Sequence, residues 1–224
     1  SSDLPFGGTF ALSRIIYFDD KYKKIINDND EEIYNIYKNP EEYSKFCIKM
    51  NEIAKKNLND NNSVNSKKFI EEVENNNINN EKFYNYWKID KIVRGTIIKI
   101  LKNINHDKML NLMKKMEFSN DNYMTVIEKY KNDKNAFIFL DPPYLFSDNS
   151  QYMQQKRKEG NDMTDIMIYL HELFNDKNVK CKMMLILNSM HITKWLFKDF
   201  IKGNYDKIYS MSKRKENLLI ITNY

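Results

Sequence analysis

Hydrophobic and polar positions along the chain predict strands alternating with helices. Lys23–Asp28 is a short β-branched run that ends in polar residues and reads as a strand. Asp30 is placed to cap a helix beginning at Glu31, which Pro40 ends. A second helix carries Tyr43, Phe46, Ile53 and Leu58, followed by a polar loop over Asn57–Ser66. From Lys67 to Met116 the pattern is helical, with apolar positions at Ile89, Ile92, Val93, Ile97 and Ile100. Asn122–Lys131 predicts one more short helix. Ala136–Leu140 and Met183–Leu187 are uninterrupted apolar runs of strand length, as in a sheet buried on both faces. Between them lie a polar, basic and mobile loop over Phe146–Asp162 and an amphipathic helix over Met163–Phe174. A last helix spans Ile192–Ile201, with Gly203 as its stop. Ile208–Met211 and Asn217–Thr222 then form a closing hairpin over a turn at Lys213–Glu216. The expected class is α/β, with a mostly parallel sheet and an antiparallel C-terminal hairpin.

Composition narrows this further. A chain of 224 residues, 42% hydrophobic, is long enough for one domain, or one domain with a large insertion. Only 5 Gly and 4 Pro are present, which excludes collagen-like and Gly/Pro-rich disordered classes. Two cysteines, Cys47 and Cys181, build neither a disulfide framework nor a cysteine zinc site and read as buried thiols. No apolar run reaches the roughly 18–20 residues needed to cross a bilayer, so no membrane role and an intracellular, cytoplasmic or nuclear, location are expected. The Lys, Ile and Asn usage fits an AT-rich source, viral or otherwise.

The net charge of +5 is unevenly spread. Residues 1–60 carry 9 basic and 11 acidic groups, whereas residues 61–118 carry 11 and 7. Within 82–115, nine basic residues face only Asp90 and Asp107, with Phe83, Tyr84, Tyr86 and Trp87 at the start. Such a segment suits phosphate contact with base stacking, or simply a solvated helix whose aromatics are core.

Candidate chemistry gathers where backbone punctuation does. Asp141-Pro142-Pro143-Tyr144 follows the strand Ala136–Leu140 directly. A carboxylate and two prolines of fixed φ, with no competing N–H, make a rigid hydrogen-bond-accepting surface. Asp141 and the Pro142 carbonyl can each accept one hydrogen of an exocyclic amine, while Tyr144 stacks on its ring. The second cluster, Leu4-Pro5-Phe6-Gly7-Gly8-Thr9-Phe10, lets backbone approach a ligand closely. Asp28, at a strand end, is placed to accept from a ribose diol. Asp121 is either a further ligand contact or a helix N-cap. His106, His171 and His191 are scattered and suggest no metal site. The 12 Met are mostly gap-filling core.

With Asp141–Tyr144 as DPPY, Pro5–Gly8 as PFGG, and Asn27-Asp28 after a strand, the chain resembles the Dam-type class of DNA adenine-N6 methyltransferases. Leu185–Ser189 and Arg214–Tyr224 resemble that class as well, while about residues 45–115 are unmatched. The resemblance implies a Rossmann-like class I methyltransferase sheet, with catalytic parts at 1–60 and 119–224 and a helical, basic insertion at 61–118 for DNA target recognition. It implies S-adenosylmethionine as cofactor, held by Pro5, Phe6, Gly7, Gly8, Asp28, Asp121 and Asp141. The target adenine of double-stranded DNA would be flipped against Asp141, Pro142, Pro143 and Tyr144. Trp87, Lys88, Lys91 and Arg94, with Lys156, Arg157 and Lys158, are then the expected DNA contacts. A restriction-modification role goes with the class. Only Ser1-Ser2-Asp3 precede Leu4, which leaves three expectations: the family's N-terminal segment is trimmed away, or a homodimer partner or another chain supplies it, or cofactor binding is impaired. Two other readings stay open: a catalytically impaired DNA-binding or assembly module of the same fold, and an amino methyltransferase acting on RNA or protein.

Overall fold

The computed structural model describes residues 2–4, 23–58, 64–78, 83–84, 110–111, 113–142, 163–208 and 215–224. It is a mixed α/β structure, and the chain divides into two compact units. One takes in the N-terminal strand, the segment ending at Asn29 and everything from Ser119 to Tyr224; the other runs mainly from Asp30 to Phe118. The expected insertion, 61–118, belongs to the second unit, which also includes residues 30–60.

Seven strands form one sheet. They are β1 (Ser2–Leu4), β2 (Lys24–Asn27), β3 (Glu117–Ser119), β4 (Phe137–Leu140), β5 (Lys182–Asn188), β6 (Ile201–Ile208) and β7 (Lys215–Thr222). Their order is β3-β2-β1-β4-β5-β7-β6. β1 is parallel to β2 and β4, and β4 is parallel to β5. β7 runs antiparallel to both its neighbours, as expected of the C-terminal hairpin, but the hairpin's first strand is Ile201–Ile208 rather than Ile208–Met211, and Lys215 and Glu216, expected in the turn, pair in β7 with Ile208 and Lys207. Register sets Leu140 opposite Leu185, and Leu185 opposite Ile221. All three are fully buried, so one face of the sheet is continuous core. Helices α4 (Tyr123–Tyr130) and α5 (Met163–Asn175) pack on that face through Ile127, Ile166, Leu170 and Phe174. Fully burying each such side chain contributes about 1.5–3 kcal/mol. The three- and four-residue spacing in α5 brings Ile166, Leu170, Leu173 and Phe174 onto one stripe.

The second unit has its own core. Helices α1 (Glu31–Lys38), α2 (Pro40–Lys56) and α3 (Ser66–Asn75) contribute Ile36, Phe46, Met50, Phe69 and Val73 to it. Asp30 caps α1 as expected, its carboxylate accepting from the Ile33 N–H at 3.3 Å. Pro40 opens α2 rather than merely ending α1, because a first-turn proline gives up an N–H that has no intrahelical partner. Leu58 lies beyond α2 and forms a lone antiparallel bridge with Val64.

Two expectations are corrected. The helix expected over Ile192–Ile201 is only α6 (His191–Leu196), and Gly203 is a residue of β6, not a helix stop. Ile201 pairs with Ile221, and the ladder is irregular between Ile201 and Gly203. Sheet pairing therefore claims a stretch whose local pattern continued the helix, with glycine at the irregularity. Glu117–Ser119, for which the sequence pattern predicts no element, form β3; three residues are too few to show a strand period.

Candidate active site

Three parallel strands deliver the candidate residues to one rim of the sheet. Asp28 follows the last residue of β2, and Asp141 follows the last residue of β4. β1 lies between them and ends at Leu4, immediately before Pro5. Pro5, Phe6, Gly7 and Gly8 themselves lie outside the described residues, as do Pro143, Tyr144, Trp87, Lys88, Lys91, Arg94, Lys156, Arg157 and Lys158.

Asn27 ties the rim together. Its side chain is fully buried at the end of β2. The amide nitrogen donates to the Asp121 carbonyl at 2.9 Å, and Oδ1 accepts from the Asp121 N–H at 2.9 Å. Oδ1 also accepts from the Ser119 hydroxyl at 2.8 Å. Alongside, Asp28 N–H donates to the Ser119 carbonyl at 3.2 Å, and Asn120 Nδ2 donates to the Asp28 carbonyl at 2.7 Å. Asp28, half-buried, and Asp121, exposed, are thus held on adjoining segments although 93 positions separate them in sequence. Asn122, not Asp121, caps α4, its Oδ1 accepting from the Met124 N–H at 2.9 Å. The capping role is therefore filled, and the Asp121 side chain is not spent on it.

At β4, Asp141 is exposed and Pro142 buried, so the carboxylate projects from a rigid, packed base. Tyr205 of β6 shares its electrostatic environment: burial raises its phenol above the ordinary value, and the negative charge of Asp141 adds to that. Sequence reading did not single out Tyr205, since a register across β7 is what brings it to this rim. At the end of β5, Asn188 is buried next to the turn into α6, where its amide nitrogen meets the Met190 sulfur at 3.1 Å. Among the described residues, no group of His, Cys, Asp and Glu is arranged to hold a metal ion. No described helix is long and apolar enough to cross a membrane.

Carboxylates at successive strand ends of an open α/β sheet are a hydrogen-bond-accepting rim for a polar, hydroxyl- and amine-bearing ligand. Such a rim is common to α/β proteins that bind polar ligands at strand ends. Residues 96–217, more than half of the chain, match the D12 class N6 adenine-specific DNA methyltransferases, and the chain belongs to that family. It is an enzyme that methylates adenine of DNA at N6. Families of this kind generally use S-adenosylmethionine. The matched segment contains Asp121, Asp141 and Tyr205 and leaves out Pro5–Gly8 and Asp28. No curated protein matches the chain. Family membership decides among the readings that the residues left open: the acceptor is DNA adenine, not RNA or a protein amide.

Proposed function

We propose that S-adenosylmethionine binds over the ends of β1, β2 and β3, and that a flipped adenine of double-stranded DNA meets it at the end of β4. The observation that carries this reading is that Asp28 and Asp141 follow the ends of β2 and β4, which flank β1, while the buried Asn27 amide fastens Asp121 beside Asp28. Donor chemistry fits the cofactor. Asp28 is half-buried at the end of β2, which pairs with β1, and can accept from both ribose hydroxyls, while Asp121 contacts the adenine. The sheet is read as a class I methyltransferase sheet, supported by the order β3-β2-β1-β4-β5-β7-β6 with β7 antiparallel. The unit centred on residues 30–118, with the basic insertion 61–118, is read as the DNA target-recognition part. Acting on DNA, the enzyme belongs inside the cell.

When bound, S-adenosylmethionine would supply an electrophilic sulfonium methyl: the N6 lone pair would form the new N–C bond as the S–C bond breaks to leave the neutral thioether, and one N6 proton would then pass by way of the Asp141 carboxylate to solvent. The chain's task is to make that lone pair available. In free adenine it is delocalised into the ring. Asp141 and the Pro142 carbonyl accept the two N6 hydrogens, which favours a pyramidal nitrogen with a localised pair. Tyr144 stacks on the ring and offsets part of the cost of unstacking the base. Fixed proline φ angles hold these acceptors in place before substrate arrives, so positioning and electrostatics supply the rate.

Labelled methyl transfer into an adenine-containing duplex tests this reading. Asp141→Ala is expected to lower kcat at saturating cofactor by at least about 100-fold, a loss that any weaker S-adenosylmethionine binding read by calorimetry does not account for. Transfer that survives Asp141→Ala, or label recovered on a base other than adenine, overturns it.

A further inference from the structure

Helix α6 presents an apolar surface where a folded protein rarely leaves one. Trp195 is 69% exposed and Ile192, one turn earlier, is 44% exposed. Fraying does not account for this. The opposite side of the same helix is anchored: Thr193 and Phe197 are fully buried, and His171 Nδ1 lies 2.9 Å from the Leu196 carbonyl. Phe197 packs edge-on against Phe174 at 5.6 Å. The backbone that carries Trp195 is therefore fixed, and the indole is held outward by it. Exposed lysines flank it, Lys194 beside it in sequence and Lys198 one turn on, with Lys202 beyond and Asp199 as the one acid in this run.

α6 starts from the sheet rim that carries the proposed reaction site. It begins three residues after β5 ends, β5 is the parallel neighbour of β4, and Asp141 follows β4. A duplex that delivers a base to Asp141 must lie across this rim. We propose that the Trp195 face of α6 is a DNA contact surface, the lysines meeting phosphates and the indole packing on sugar or an unstacked base. Charge selects DNA over a second copy of the chain: three lysines around one acid suit a polyanion, whereas a self-complementary contact would bring the same lysines together. The proposal rests on the reading that the target base enters at Asp141.

Two variants test it in the full chain, Trp195→Ala and the double variant Lys194→Gln/Lys198→Gln. Both sites are exposed, so melting temperatures should match wild type. Binding of a fluorescently labelled adenine-containing duplex is followed by anisotropy at several salt concentrations. Trp195→Ala is expected to weaken duplex binding about tenfold. The lysine variant should make the slope of log affinity against log salt shallower by about two. Calorimetric affinity for S-adenosylmethionine, and kcat at saturating duplex, should not move. Wild-type duplex affinity and salt slope in both variants overturn the proposal. So does a change in sedimentation mass with Trp195→Ala at unchanged duplex affinity, which would make this face a contact between copies. If wild type binds duplex but transfers no methyl to adenine, the Asp141 reading fails, and the two binding comparisons still decide the role of α6.

Discussion

Asn27 grips the backbone of Asp121 at both its N–H and its carbonyl, each at 2.9 Å, from a fully buried position at the end of β2. One side chain thereby sets the relation between two acids that the sequence keeps far apart. Removing it strands several polar groups at once. Asn27→Ala is expected to cost roughly 2–3 kcal/mol of unfolding free energy, since buried partners lose their bonds without regaining water. Asn27→Asp keeps an acceptor for the Asp121 N–H but sets a charge against the Asp121 carbonyl, and should be at least as damaging. Urea denaturation reads both; a wild-type midpoint for Asn27→Ala would refute the bracing role.

Asp28 separates binding from folding. Its backbone bonds to Ser119 and Asn120 do not need its carboxylate. Asp28→Ala should weaken S-adenosylmethionine binding roughly 10- to 100-fold, the worth of charge-assisted hydrogen bonds, with little change in melting temperature. Calorimetry with the cofactor alone checks this, and unaltered affinity would remove Asp28 from the site.

Thr193 locks the turn from β5 into α6. Its hydroxyl donates to the Asn188 carbonyl at 2.7 Å and accepts from the Met190 N–H at 2.9 Å, fully buried. Thr193→Val removes both bonds in nearly the same volume and should cost about 1–2 kcal/mol. Thr193→Ser should recover most of that in a denaturant titration, which a purely steric role would not allow.

Alkaline pH should expose the tyrosines of the core. Burial pushes Tyr123 up to about 12 from an ordinary 10.0, with the charge of Asp165 adding to the effect. Tyr169 is raised as well, first by burial and then by Glu128, to which its hydroxyl donates at 3.2 Å. The unfolded chain therefore loses these protons first and binds fewer of them as pH rises. Stability from Tyr123 is complete below pH 10 and is lost between 10 and about 12. Melting temperature should fall across that window, and Tyr123→Phe should make the fall shallower. An identical slope in the variant would locate the effect elsewhere.

Much of this was legible in the chain. Uninterrupted apolar runs marked β4 and β5, although in β4 only Ile138 and Leu140 are fully buried while Phe137 and Phe139, on the other face, are half-buried. Asp30 and Pro40 marked the ends of α1 and α2, since capping and proline geometry are local. Asp141-Pro142 follows β4 as the sequence suggested, and the acceptor surface proposed there is read from local sequence alone. Gly203 shows the opposite case. Its neighbours read as a helix end, yet pairing of Ile201 with Ile221 draws them into a sheet.

By itself, the sequence determined which short segments carry chemistry and which stretches must be buried, because both follow from side-chain type and spacing. Only the tertiary structure decided which of those segments meet. The Asn27 clamp on Asp121, the placing of Tyr205 across β7, and the outward hold on Trp195 all depend on tertiary pairing and packing. Those are fixed by long-range pairing and by the close fit of the core, which no local pattern encodes.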